Sequence, residues 1–171
     1  MKKTVELQNY LFLNKKGTIF LFESSVFGIL PKKIKKDFSL VERIKLHLRA
    51  LRGYCFYFLE IEDKMVAYCF LKRNYLKKYS FMDKNDLIVN PYYVSEEYRG
   101  NHFGEIILRA SLDNLPANTK NVWAIVLDDN IPSIKTLERI GFNIEGYSYV
   151  FHFSHHISDN QTDKYVFKKV I

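Results

Sequence analysis

Apolar residues in this chain fall into short blocks, and the blocks carry two different periods. CFYFLEI (55–61) and MVAYCFL (65–71) are aromatic and β-branched runs joined by Glu62-Asp63-Lys64, the pattern of an antiparallel hairpin. TIFLFESSVFGIL (18–30) reads as a strand followed by a loop, and DLIVNPYYV (86–94) and NVWAIVL (121–127) read as strands. IEGYSYVFHFS (144–154) and KYVFKKVI (164–171) read as two closing strands around the polar turn SDNQTD. The other period is helical. In SLVERIKLHLRALRG (39–53), Val41, Ile44, Leu48 and Leu51 follow it, Ser39 and Glu42 make a capping-box pair, and Gly53 supplies a left-handed stop. FGEIILRASL (103–112) puts Phe103, Ile106, Ile107 and Ala110 on one side and pairs Glu105 with Arg109. DDNIPSIKTLERIGF (128–142) turns into a helix with Asn130 as N-cap and Pro132 in the first turn. Ile134, Leu137 and Ile140 face inward there, and Gly141 ends it. Hairpin, strand, helix, strand, helix, strand, strand predicts an α/β (α+β) chain. Its mixed sheet has about six to seven strands with helices on its faces. With no linker, repeat or low-complexity tract, residues 1–171 are expected to be one domain.

Composition narrows the class. The chain is 47% apolar and 26% charged, as in ordinary globular proteins, and 7 Gly with 4 Pro argue against disorder. No apolar stretch approaches the roughly 20 residues of a membrane helix. Glu6 and Gln8 interrupt any signal-peptide core in MKKTVELQNY, so the chain is expected in the cytoplasm. Cys55 and Cys69 read as two small buried residues in a reducing compartment, with a disulfide left open by the sequence. The net charge of +7 lies largely in PKKIKK (31–36) and LKRNYLKK (71–78). Such clusters meet nucleic acid, an anionic membrane surface or a phosphorylated small molecule, or form a solvated basic face. His152, His155 and His156 have no Cys or acidic ligand at metal spacing, so no metal is expected. There is no P-loop and no dinucleotide fingerprint.

The stretch that points to chemistry is YRGNHFG (98–104), a glycine-containing turn between a strand and a helix. The first N–H groups of a helix lack partners within it, and its dipole favours negative charge there, so such a turn holds an anion. Just upstream, Pro91 removes a ladder donor from its strand and demands an edge or a bulge.

VSEEYRGNHFGEIIL (94–108) resembles the acyl-CoA-binding motif of the GNAT acetyltransferase superfamily. That motif is a valine ending a strand, Tyr-Arg-Gly, and a loop of the form Arg/Gln-x-x-Gly-x-Gly/Ala opening a helix. DDNIPSIKTLERIGF is similar to the family's second motif through Asn130, Ser133, Gly141 and Phe142. The resemblance implies a bulged, splayed central strand, with Pro91 helping a slot to open for the pantetheine arm. It implies acetyl-CoA as co-substrate, held through Tyr93, Val94, Arg99, Gly100, Asn101, His102, Phe103 and Gly104, with Asn130 and Ser133 from the second motif. His102 stands where the motif usually has glycine. Histidine is among the few other residues enriched at positive φ, so the loop is expected to keep its shape. Leu137 stands where many members carry a tyrosine acid. That leaves Tyr92 and Tyr147 as catalytic candidates, with Tyr93 and Tyr149 also on flanking strands, and Asp86, Glu96 and Glu97 as candidate bases. Strand alternation sends Tyr92 and Tyr93 to opposite faces unless a bulge intervenes.

The reaction implied is N-acetyl transfer to a primary amine of a small molecule. NPYYVSEEYRG and NIPSIKTLERIGF look like members that serve bacterial surface-polysaccharide synthesis, which points to a nucleotide-linked amino sugar. In that reading the PKKIKK lysines reach its diphosphate. A homodimer is compatible, and nucleic acid is not the expected partner. The rivals are a protein or peptide N-acetyltransferase, and a non-catalytic acyl-CoA-binding or basic nucleic-acid-binding module.

Overall fold

The computed structural model describes residues 3–12, 15–23, 39–51, 54–74 and 76–171. The PKKIKK cluster, the Gly53 stop and the loop after residue 23 lie outside them. Two compact units divide the chain: residues 1–71 with 91–114, and residues 72–90 with 115–171.

The first unit contains strands β1 (Lys3–Phe12), β2 (Lys15–Glu23), β3 (Cys55–Ile61) and β4 (Lys64–Lys72, its last residue in the other unit), each antiparallel to the next. Helix α1 (Leu40–Leu51) opens as expected. The Ser39 N–H donates to Glu42 Oε2 (2.8 Å) and the Glu42 N–H returns to Ser39 Oγ (3.3 Å). Its apolar spacing does not produce burial, because Leu40, Val41, Ile44 and Leu48 are all more than half exposed. The β3–β4 hairpin closes on Glu62 and Asp63, both at positive φ (49° and 62°), a two-residue turn without glycine.

Alternation then sorts the side chains. Phe56 pairs with Phe70 and Phe58 with Tyr68, so one face carries an aromatic cluster that Tyr54 and Met65 extend. The other face carries Tyr57 opposite Cys69. Helix α2 (Phe103–Asp113) packs on β3. Tyr57 Oη donates to the Asn114 carbonyl at its end (2.8 Å), and Cys69 Sγ lies 3.7 Å from Ser111 Oγ. Both cysteines are free thiols. Complete burial pushes the Cys69 thiol up to about 12, so it packs as a small apolar group.

The second unit is built on β5 (Leu87–Val94, whose residues from Pro91 on belong to the first unit), β6 (Asn121–Leu127), β7 (Asn143–Phe151), β8 (Ser154–Ser158) and β9 (Lys164–Val170). Their order is β5-β6-β9-β7-β8. β5 and β6 are parallel and the others antiparallel, so the expected mixed-sheet α+β class is found. The single closing strand expected over 144–154 is instead a hairpin, β7–β8, turning on His152 and Phe153. Ile88, Trp123 and Val166 share one face, covered by Tyr79, Met82, Phe81 and Ile157. Helix α3 (Ile131–Arg139) buries Leu137, and Ile140 and Phe142 follow it inside.

Edge strand β8 is not left open. The His155 N–H donates to the Lys78 carbonyl (2.6 Å) and the Ser80 N–H to the His155 carbonyl (2.9 Å), so residues 77–80 lie along it. The His155 ring stacks on Tyr79 (5.1 Å) and its Nδ1 is 3.0 Å from Ser148 Oγ. Burial, then the charges of Lys78, Lys164, Lys72 and His156, hold the His155 pKa below its ordinary 6.5. The folded chain therefore resists a proton that the unfolded chain accepts, and stability is lost as pH falls from about 6.5 through the folded value. The urea midpoint is expected to be lower at pH 5 than at pH 7.5, and the gap to shrink in His155→Gln.

Candidate functional site

The parallel ladder runs from Leu87↔Val122 to Val89↔Ala124, and Pro91 follows almost at once. On the β6 side the proline interrupts none of these pairs. Beyond it Tyr92 and Tyr93 alternate as a regular strand dictates. Tyr93 stacks on Tyr68 (5.4 Å), on the face of the aromatic cluster. Tyr92 faces α2: its ring carbon Cε2 is 3.2 Å from where a Cβ on Gly104 would stand, and Val94 Cγ2 is 3.6 Å from it. Gly104 is thus the residue that lets the first turn of α2 rest on the end of β5.

The connection between them is tied down bond by bond. The Ser95 N–H donates to the Val66 carbonyl (2.9 Å) and Ser95 Oγ to the Met65 carbonyl (3.3 Å), fixing the exit from β5 to β4. A single 3₁₀ turn, Glu96–Tyr98, follows. Arg99 folds back: its Nε donates to the Val94 carbonyl (3.3 Å), NH1 is 3.5 Å from Glu96 Oε1, and the guanidinium lies 5.9 Å over the Tyr93 ring. Asn101 Nδ2 donates to the Tyr98 and Arg99 carbonyls (3.2 and 3.1 Å). His102 takes the left-handed conformation, φ 59° and ψ 12°, in the motif position that usually holds glycine. It caps α2, whose first intrahelical bond runs from the Ile106 N–H to the His102 carbonyl (3.0 Å). The amides of Phe103, Gly104 and Glu105 precede that bond and point out of the helix's positive end.

An open turn at the positive end of a helix suits an anion. Gly100, at φ +79°, has nothing within 4 Å of where a Cβ would stand, so the approach is open at the loop's outer corner. Arg99, His102 and Arg109 are exposed around it, with Glu105 held at 3.0 Å by Arg109. The Phe103 side chain takes no part: it is buried against Tyr98 and offers only its amide. Glu96 is occupied by Arg99. Asp86 is no base for an external amine: it is buried and accepts from Trp123 Nε1 (2.8 Å), Asn121 Nδ2 (2.9 Å) and the Asp83 N–H (3.1 Å).

In the second unit Asn130 caps α3, its Oδ1 accepting from the Ser133 N–H (3.3 Å). Leu137 is buried on the inner side of that helix. Tyr147 contacts Tyr165 (5.1 Å between rings) and raises its phenol pKa, while exposed Tyr149 stacks on His156 (5.4 Å). His155 is engaged by Ser148, and among the described residues no three His, Cys, Asp or Glu side chains are grouped to hold a metal. The residue that the sequence reading missed is Ser95. Its signal was a hydroxyl directly after a strand, a position that commonly bonds the neighbouring backbone.

Solved structures share this fold. An acetyltransferase of the GNAT family from Streptococcus pneumoniae matches with a TM-score of 0.58 at 12% identity, covering 90% of this chain and 99% of that one. yncA from Salmonella typhimurium, solved with its cofactor acetyl-CoA, matches at 0.58 and 16% identity over 76% of this chain and 72% of its own. The ribosomal-protein-S18-alanine N-acetyltransferase from Escherichia coli matches at 0.54 and 19% identity over 78% and 79%. No curated protein matches the sequence. The sequence model of the acetyltransferase (GNAT) family matches residues 29–142, which include the whole turn and α3. The chain therefore belongs to the acetyltransferase (GNAT) family and is an acyl-CoA-dependent transferase that uses acetyl-CoA as co-substrate.

Proposed function

We propose that the chain acetylates the primary amine of a small molecule, specifically a nucleotide-linked amino sugar, and that it does so in the cytoplasm as one acyltransferase domain over residues 1–171. The observation that carries the cofactor half of the reading is the conformation of the 99–104 turn: an open glycine corner, a left-handed cap and a glycine contact with β5. In this reading the backbone at Tyr93 and Val94 aligns the acyl arm. The amides from Gly100 to Gly104 bind the diphosphate, Arg99 and His102 lie at its edge, and Asn130 and Ser133 belong to the second motif's share of the cofactor. Acetyl-CoA supplies the acyl group as a thioester, and the amine that attacks it must be neutral. Leu137 has no proton to give, so we assign delivery of a proton to the departing sulfur to Tyr92, on the face of β5 that meets α2. Tyr147 is placed with the acceptor.

Support for the acceptor comes from β7, where the Tyr147–Tyr165 and Tyr149–His156 pairs leave rings at the surface. Such rings suit the apolar faces of sugars and stack on bases. Acetyl-CoA is expected to raise the melting temperature by mass action. Tyr92→Phe, which keeps the ring, should lower kcat about tenfold or more while leaving the acetyl-CoA shift in place. Leu137→Met should change little, since volume-conserving swaps in a core are tolerated. A large loss of turnover in Leu137→Met at unchanged stability overturns this assignment. The acceptor is tested by competition between nucleotide-linked amino sugars and N-terminal peptides for acetyl transfer. A higher kcat/KM for the sugars supports the reading, and a higher one for peptides moves the enzyme to protein acetylation.

A further inference from the structure

The turn between β7 and β8 is built from the wrong residues for its backbone. His152 and Phe153 sit at φ 44° and 64°, positions that two-residue hairpin turns normally give to Asn and Gly. Phe153 recovers nothing for that strain inside the fold, because 95% of it is exposed. Its neighbours Val150 and Phe151 are also more than half exposed. Strain at an exposed bulky residue points to a role outside the folded chain.

Residues 76–78 lie beside this tip. Ser154 Oγ donates to the Lys77 carbonyl (3.1 Å) and the His155 N–H to the Lys78 carbonyl, next to Phe153 in the chain. Leu76 is 80% exposed there, and Lys77 and Lys78 are exposed beside it. Leu76, Lys77 and Lys78 of the basic cluster are thereby set against an apolar point.

We propose that this tip, Phe153 and Val150 with Leu76, rimmed by Lys77 and Lys78, docks on an anionic lipid bilayer. Apolar side chains on a convex point gain by entering the acyl boundary, and ammonium groups around them meet anionic headgroups. Nucleic acid fits less well. Single strands bind in grooves whose rings stack on bases, and Leu76 and Val150 have no ring. The docking is peripheral and independent of the acceptor's identity.

Flotation of the full chain with vesicles tests it. Binding is expected to vesicles of phosphatidylcholine mixed with phosphatidylglycerol, to be far weaker on phosphatidylcholine alone, and to fall with salt. Phe153→Ser should reduce partitioning about tenfold. Lys77→Gln and Lys78→Gln should reduce it about fivefold each. All three residues are exposed, so the acetyl-CoA melting shift should survive in every variant. Phe153→Trp should give a blue-shifted emission on the mixed vesicles. No partitioning at low salt overturns the proposal, as does partitioning that Phe153→Ser leaves unchanged. Retention on RNA that is lost in Phe153→Ser, without vesicle binding, assigns the tip to nucleic acid instead.

Discussion

Gly104→Val is expected to abolish the acetyl-CoA melting shift and to lower kcat/KM by about a hundredfold or more. Even a single Cβ at this position would come within 3.2 Å of the Tyr92 ring and 3.6 Å of a Val94 methyl. Tyr92 is a flexible aromatic, so Gly104→Ala can be absorbed by a shift of a few tenths of an ångström and should retain part of the binding. The branched methyls of valine have no such outlet. They push the first turn of α2 away from β5, and the amides proposed to bind the diphosphate diverge with it. Isothermal titration of both variants with acetyl-CoA, beside their unfolding curves, separates loss of binding from loss of fold. Binding retained in a folded Gly104→Val would mean that the cofactor is held elsewhere.

The second large effect is on stability. Asp86→Ala should destabilise the chain by about 3 kcal/mol, because it leaves buried donors on Trp123, Asn121 and the Asp83 backbone without their acceptor. These donors fix the start of β5 against β6, so the loss is structural. Denaturant unfolding should show it directly. At a temperature where Asp86→Ala is folded, its kcat/KM is expected within a few-fold of the parent. A folded variant without activity would restore Asp86 as the general base.

What the sequence disclosed follows the range of the interactions involved. The Ser39–Glu42 box, the β3–β4 hairpin, the Asn130 cap and the His102 conformation are set by residues a few positions apart, and each is found where the pattern puts it. β1 escaped notice because its alternation breaks at a register shift between Glu6 and Gln8, and its pairing needs a partner strand to be recognised. The β7–β8 hairpin escaped because His152-Phe153 lacks every usual turn residue. On α2 Leu108 and Ser111 are buried and Ile106 only partly, so the buried face is rotated from the one that Phe103, Ile106, Ile107 and Ala110 define. In the turn, residue types can point to a ligand class because backbone shape is what reads a diphosphate. The acceptor is read by side chains far apart in sequence, and spacing alone does not assemble them.

Amide chemical shifts of the 15N-labelled chain during titration with acetyl-CoA test the central claim most directly. The N–H groups of Gly100, Asn101, His102, Phe103 and Gly104 should move together and saturate at one Kd, with β1 and β8 unmoved. Saturable binding that leaves those five amides in place, or no binding at millimolar acetyl-CoA, would contradict it.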